Sequence, residues 1–233
     1  MAFRKRTAVG WILAALLGAS FAPAPAQDKP QPKIPEPTVP EFFTLMGQYV
    51  RVAYNNEGYV TLGYRTANAS VGEEWLLLDV GLTVRKGTDP QVVKRDAFSL
   101  QTPDGTILPL PTQTAYQAVD LRGIQTMATA SRDVISYFPG DVVRRCTLGF
   151  FSDPDRRNLS YDQVELNFQT ACLGRLYFHV PGGIRTGQHW LKVKFAGGEV
   201  QVPFRILTKE EEKEFRKTWE DLKEEHEATT GAK

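Results

Sequence analysis

Residues Trp75–Val84, WLLLDVGLTV, carry apolar side chains at every even position, Leu76, Leu78, Val80, Leu82 and Val84. The row between them, Trp75, Leu77, Asp79, Gly81 and Thr83, is mixed. A period of two predicts a strand whose two faces differ. The even face must be buried along its whole length. The odd face is apolar only as far as Leu77, which predicts a cover over its first half and leaves Asp79 solvated at the wet edge of that cover. If buried, Asp79 would need a partner.

The same alternation recurs along the chain. Residues 49–54 (YVRVAY) and 59–65 (YVTLGYR) flank Asn55-Asn56-Glu57-Gly58 and predict a hairpin. Residues 97–110 (AFSLQTPDGTILPL) predict a second hairpin around Pro103-Asp104-Gly105. Further strands are expected at 142–151 and at 163–170, the latter with Val164, Leu166 and Phe168 on one face. Consecutive strands then follow at 175–181, 190–195 and 199–207. Leu191, Val193 and Phe195 align there with Val200, Val202, Phe204 and Ile206 as inward rows. Pro203 cannot donate to a ladder and marks an edge or a bulge. Residues 137–141 (YFPGD) form a turn. The alternation fails over 112–133. Tyr116, Val119, Ile124 and Met127 there predict a short helix or a wandering crossover, interrupted by Gly123.

Both ends have a different character. Arg4, Lys5 and Arg6 precede the apolar run 8–21 (AVGWILAALLGASF), and Ala24-Pro25-Ala26 follows it, which reads as a signal peptide over 1–26. The competing reading is a membrane anchor, but the run falls short of the roughly 20 apolar residues that span a bilayer. Pro30, Pro32, Pro35, Pro37 and Pro40 make 27–44 an extended proline-rich strap. At the far end, Thr208 with Glu211 is a capping box. It opens a helix in which residues 209–227 hold five basic and nine acidic side chains. The apolar stripe of that helix is Phe215, Trp219 and Leu222, too thin for a stable isolated helix. The stripe therefore either packs back onto the strands, covering Trp75 and Leu77, or docks into another protein.

Charge and chemistry narrow the function. Removal of the three N-terminal basic residues lowers the formal charge of +1 to −2, which gives no reason to expect nucleic acid or an anionic membrane as partner. In an exported chain the two cysteines, Cys146 and Cys172, are expected to form a disulfide. Two buried thiols are the alternative, and a redox site would want a Cys-x-x-Cys pair. No Gly-x-Ser-x-Gly elbow, P-loop, dinucleotide fingerprint or His-Glu-x-x-His occurs. His179, His189 and His226 lie on separate segments, though the first two would be neighbours if their strands pair. Asp153, Asp155 and Asn158 could suggest a calcium loop, which Pro154 and Arg156-Arg157 contradict. The sequons at Asn68 and Asn158 matter only in a eukaryotic secretory pathway. Tyr177 and Trp190, with Tyr49, Tyr54 and Tyr59, would make a sugar-stacking platform if they shared an outer face.

Taken together, WLLLDVGLTV, FSLQTPDGTILPL, the YFPGD turn and the closing strands WLKVKF and VQVPFRIL resemble the telokin-like, immunoglobulin-type β-sandwich domains of exported bacterial proteins. The resemblance covers roughly residues 45–207. It implies a Greek-key sandwich that acts as a binding, spacer or assembly module. The chain departs from that pattern at 112–133 and in its charged C-terminal helix. The expectation is thus an all-β, antiparallel immunoglobulin-like β-sandwich over 45–207, with a C-terminal α-helix and tail over 208–233. It is a non-enzymatic periplasmic or secreted module with no catalytic residue, cofactor or metal and no membrane span after signal cleavage. Its expected partner is another envelope protein, and envelope carbohydrate is the alternative. The mature chain should begin at Gln27. Intact-mass spectrometry of the exported product checks this, and a product that keeps residues 1–26 would refute it.

Overall fold

Asn55 sets the first reversal of the chain. Its side-chain Oδ1 accepts from the backbone N–H of Glu57 at 2.8 Å and of Gly58 at 2.7 Å, an Asx turn that joins β1 (Val50–Tyr54) to β2 (Gly58–Gly63). The computed structural model describes residues 49–152 and 159–230. The signal peptide, the proline-rich strap and the loop with Asp153, Asp155 and Asn158 lie outside the described residues, as do the side chains of Trp219, Leu222 and His226.

The remaining elements follow in order. They are α1 (Arg65–Ala69), β3 (Trp75–Val84), β4 (Gln91–Lys94), β5 (Phe98–Gln101), β6 (Ile107–Pro109), α2 (Gln113–Gln117) and α3 (Arg122–Ala130). Then come β7 (Arg144–Thr147), β8 (Gln163–Leu166), β9 (Thr170–His179), β10 (Gly187–Lys194), β11 (Glu199–Ile206) and α4 (Lys209–Thr230). A five-stranded sheet has the order β1-β2-β3-β9-β7, a four-stranded sheet β11-β10-β5-β6, and β4 and β8 form a separate pair. The even row of β3 faces Phe98, Leu100, Leu191, Val193, Val202 and Phe204 of the four-stranded sheet, so the two sheets enclose one core. Burial of these side chains away from water is the main favourable contribution to the fold. Pro203 lies on β11, the edge strand of its sheet, where a missing N–H costs no ladder bond between strands.

Several expectations are corrected. The odd row of β3 is buried from Leu77 onward, after a half-buried Trp75: Leu77 is fully buried, Asp79 is 4% exposed and Thr83 is fully buried. Asp79 is therefore an interior charge. Its cover is the segment that breaks the alternation, since Tyr116, Leu121 and Ala128 pack on Leu77. The C-terminal helix was the expected cover of Trp75 and Leu77 through Phe215, Trp219 and Leu222, and the side chains of Trp219 and Leu222 lie outside the described residues. Its first turns sit elsewhere, where Glu212 accepts from the Tyr49 hydroxyl at 3.3 Å and the Phe215 ring lies 6.2 Å from that of Tyr49. The Thr208–Glu211 capping box forms reciprocally, at 3.2 and 3.0 Å.

The expected strand at 163–170 ends at Leu166, because Asn167 Oδ1 accepts from Gln169 N–H and turns the chain. Strand β9 consequently starts at Thr170, and it lies in the sheet opposite β10 instead of pairing with it. The strand expected at 142–151 is confined to β7, which runs parallel to β9; every other strand pairing is antiparallel.

That parallel register places Cys146 directly beside Cys172, and the two form a disulfide. It closes a separation of 26 residues, which restricts the unfolded chain by roughly 3 kcal/mol on the chain-entropy account. Replacing both cysteines by alanine should lower unfolding stability by about that amount in urea titration. An unchanged midpoint would show that the staple contributes nothing.

Candidate functional site

The register of three strands builds a charged row beneath the cover. Gly63 on β2 stands opposite Asp79 on β3, and Asp79 opposite Arg175 on β9. With no side chain at Gly63 there is room for two carboxylates. A Cβ there would stand 3.4 Å from the Cβ of Asp79 and equally close to that of Asp133, which enters from the segment after α3. Asp79 Oδ1 lies 3.5 Å from Arg175 Nε and 3.9 Å from Arg132 Nε, and Asp133 Oδ1 accepts from Arg65 Nε at 2.8 Å. Burial pushes the Asp79 carboxyl above its ordinary range, while Arg175 and then Arg132 pull it back down. Arg175 also donates to the Ala128 carbonyl at 3.0 Å, which ties the last turn of α3 to the sheet. Farther along, the Phe138 ring lies over Gly81, where a Cβ would be 2.6 Å from it, and Thr61 donates to the Ile135 carbonyl at 3.1 Å.

Beside this row the cover opens. The link between α2 and α3 stands clear of the sheet and leaves a cleft of about 950 Å³, lined by Tyr116, Asp120, Arg122, Gln125, Arg175 and Tyr177 among others. Tyr116 and Tyr177 are its aromatic lining, and both pack on Phe151. Tyr116 and Tyr177 lie 4.8 Å apart, Tyr116 and Phe151 4.9 Å, and Phe151 and Tyr177 5.3 Å. Gln125 donates to the Tyr116 hydroxyl at 2.6 Å and fixes that ring. At the rim, Asp120 pairs with Arg122 at 2.8 Å, and hydrogen bonds from Arg122 hold its carboxyl down at about 2. The hydroxyls of Thr126 and Thr129 donate back into their own helix, to Arg122 O and Gln125 O. The cleft thus presents aromatic faces, guanidinium and amide groups. A nucleophile held against a base, as bond-making would require, is not found among the described residues that line it.

The structure separates most of the residues singled out earlier. Tyr177 belongs to the cleft lining and is 4% exposed, whereas Trp190 lies on β10 in the other sheet. Tyr49 is buried against Tyr64, and Tyr54 stacks on Tyr59 at 5.8 Å. The five form no common platform, because Trp190 lies on the other sheet and Tyr49 and Tyr177 are buried. His179 lies 3.9 Å from Glu74 and against the Trp75 ring, while His189 is interior to the sandwich, so the two do not meet. Among the described residues no group of three or more His, Cys, Asp or Glu side chains could hold a metal ion. Also among them, no helix is long and apolar enough to cross a membrane.

The cleft itself was missed. Leu121, Ile124 and Ala128, at helical spacing, were its legible signal; Val119 and Met127, grouped by sequence with Tyr116 and Ile124, are substantially exposed. Comparison with protein-family models, with curated proteins and with solved structures finds no match to this chain.

Replacing Arg175 by Met leaves Asp79 buried with only the more distant Arg132. Such a broken pair should cost about 3–5 kcal/mol at pH 7. Without Arg175 the folded-state pKa of Asp79 rises further above its unfolded value, so the variant loses stability as pH climbs through that range. The deficit relative to wild type should therefore shrink toward about pH 4. Urea titrations at both pH values check this, and a deficit independent of pH would contradict it.

Proposed function

We propose that the chain is an exported, non-enzymatic immunoglobulin-like module that acts by holding a segment of another envelope protein in the cleft between α2, α3 and β9. The observation that carries this reading is the cleft itself. At about 950 Å³ it sits at the upper end of the range for ligand sites, and its lining of Tyr116, Tyr177, Arg122 and Arg175 is of the residue types that anchor protein interfaces. The lining also includes the exposed apolar side chain of Val119. The disulfide supports placement in an oxidising compartment. The proline-rich strap fits a spacer that keeps the module at a distance from its attachment point.

A cleft-filling variant tests the reading. Ala118 is exposed at the rim, so Ala118→Trp should leave the far-ultraviolet circular dichroism unchanged while occupying the cleft. A discrete envelope protein captured by the mature chain should be lost with Ala118→Trp and kept with Lys192→Trp, a control on the four-stranded sheet. Capture that is indifferent to Ala118→Trp, or no discrete partner at all, would overturn the proposal.

A further inference from the structure

At one end of the sandwich the core holds an imidazole that packing alone does not explain. His189 occupies an inner-face position of β10, in the same row as Leu191 and Val193, and is fully buried. Its cross-strand partner is Phe204, on which its ring stacks at 5.3 Å. Nδ1 lies 3.0 Å from the carbonyl oxygen of Gly187, which can only accept, so Nδ1 carries the proton. Burial lowers the pKa of the ring to about 4, so near neutral pH it carries one proton only. Nε2 is therefore a bare lone pair, and it has no hydrogen-bond partner. A buried acceptor left unsatisfied is destabilising, a cost that a phenylalanine stacked on Phe204 in its place would avoid.

A pocket of about 230 Å³ adjoins the ring. The β5–β6 turn (Thr102, Pro103, Asp104, Thr106) and the loop after β9 (Pro181, Gly183, Arg185) form its mouth, and Leu108 and Val180 supply apolar wall. Arg185 and Asp104 face each other across that mouth at 3.7 Å, both largely exposed, so the pair holds it only weakly shut. Thr102 is already committed, donating to Asp104 Oδ1 at 2.6 Å. His189 is thus the buried member of a lining that is otherwise part polar (Thr102, Asp104, Thr106, Arg185) and part apolar (Leu108, Val180, Pro181), and its Nε2 is an enclosed acceptor without a hydrogen-bond partner.

We propose that this pocket is a second binding site, separate from the α2–α3 cleft, which takes a small apolar group bearing one O–H donor that bonds to His189 Nε2. The size of the pocket is below the roughly 300–1,000 Å³ of drug-sized sites, so the occupant is a phenol-sized molecule or a single tyrosyl side chain from a partner. A lone imidazole offers a metal ion too few ligands.

The experiment uses the full chain labelled with ¹⁵N-histidine, with the His189 ring signals identified by their loss in His189→Phe. Long-range proton–nitrogen spectra should show Nε2 unprotonated. Titration with p-cresol should then shift that resonance saturably, whereas toluene, of similar shape but lacking the hydroxyl, should bind at least tenfold more weakly. In His189→Phe, which keeps the stack on Phe204, p-cresol and toluene should bind alike. A tyrosine-containing tripeptide separates the two sources of the group: saturable binding of the peptide at the same resonance assigns the site to a protein side chain, and binding of p-cresol alone assigns it to a free small molecule. A protonated Nε2, equal affinity for p-cresol and toluene in the wild-type chain, or no response to any probe would overturn the proposal. These three readouts are made on the wild-type protein, and for them the variant serves only to identify the ring signals.

Discussion

The outer row of strand β3 is the constraint on which the rest of the structure depends. A strand at the centre of a five-stranded sheet, with one face against the second sheet, can leave its other face to water only if that face is polar. Leu77 forbids this at one end, and Gly81, beneath Phe138, extends the dry surface to the other. Asp79 lies between them and is carried into the interior with its neighbours. An interior carboxylate is expensive unless compensated, and the compensation comes from Arg175 on the adjacent strand and Arg132 on the cover. The charge thus links sheet and cover directly, since Arg175 contacts both Asp79 and the end of α3.

The cover follows from that arrangement. Helices of five and nine residues, like α2 and α3, are too short to persist alone in water. They exist because Tyr116, Leu121 and Ala128 are buried against Leu77, and because Thr61, Arg65 and Arg175 reach out of the body to hold the segment down. Their link is fastened at its ends and not at its middle, which is why a cleft lies under it. The shape of the cleft and the protonation of Asp79 are therefore coupled: loosening the Arg175 contact would release the end of α3 that forms one wall. Binding surfaces are commonly built on such lightly held elements.

Local chemistry made much of the body legible. The Asn55 and Asp104 turns, the uninterrupted even row of β3, the paired rows of β10 and β11, and the Thr208–Glu211 box each depend on residues close in sequence, and each forms as read. The cysteine pair was legible from compartment and count. What was not legible depends on partners far along the chain. Nothing within Trp75–Val84 says that a segment some 40 residues later will bury Asp79. Likewise, the glycine-rich loop after β9 looks like a hairpin connection, yet it carries the chain across to the opposite sheet. Asn167 ended a strand without glycine or proline, through a side-chain bond that no alternation pattern registers. The cleft was hidden for the same reason, since its lining combines Arg175 and Tyr177 of β9 with residues of α2, α3 and their link.

The protonation pattern of the body bears on what its sites can do. General acid–base catalysis calls for a group whose pKa lies near the working pH. Here the shifts run mostly the other way. Burial, reinforced by Glu212, pushes the Tyr49 hydroxyl up to about 12, and Tyr59 is raised by burial. His189 falls to about 4, and hydrogen bonds hold Asp104 at about 2. The upward shift of Asp79 and the downward shift of Arg95, both caused first by burial, point toward neutrality, and the Asp79 carboxyl lies beneath a layer of protein with two guanidinium groups beside it. Groups fixed in one protonation state near neutral pH serve well as constant donors and acceptors. The Asp120–Arg122 pair at the cleft rim and the Nε2 of His189 in the small pocket are features of this kind.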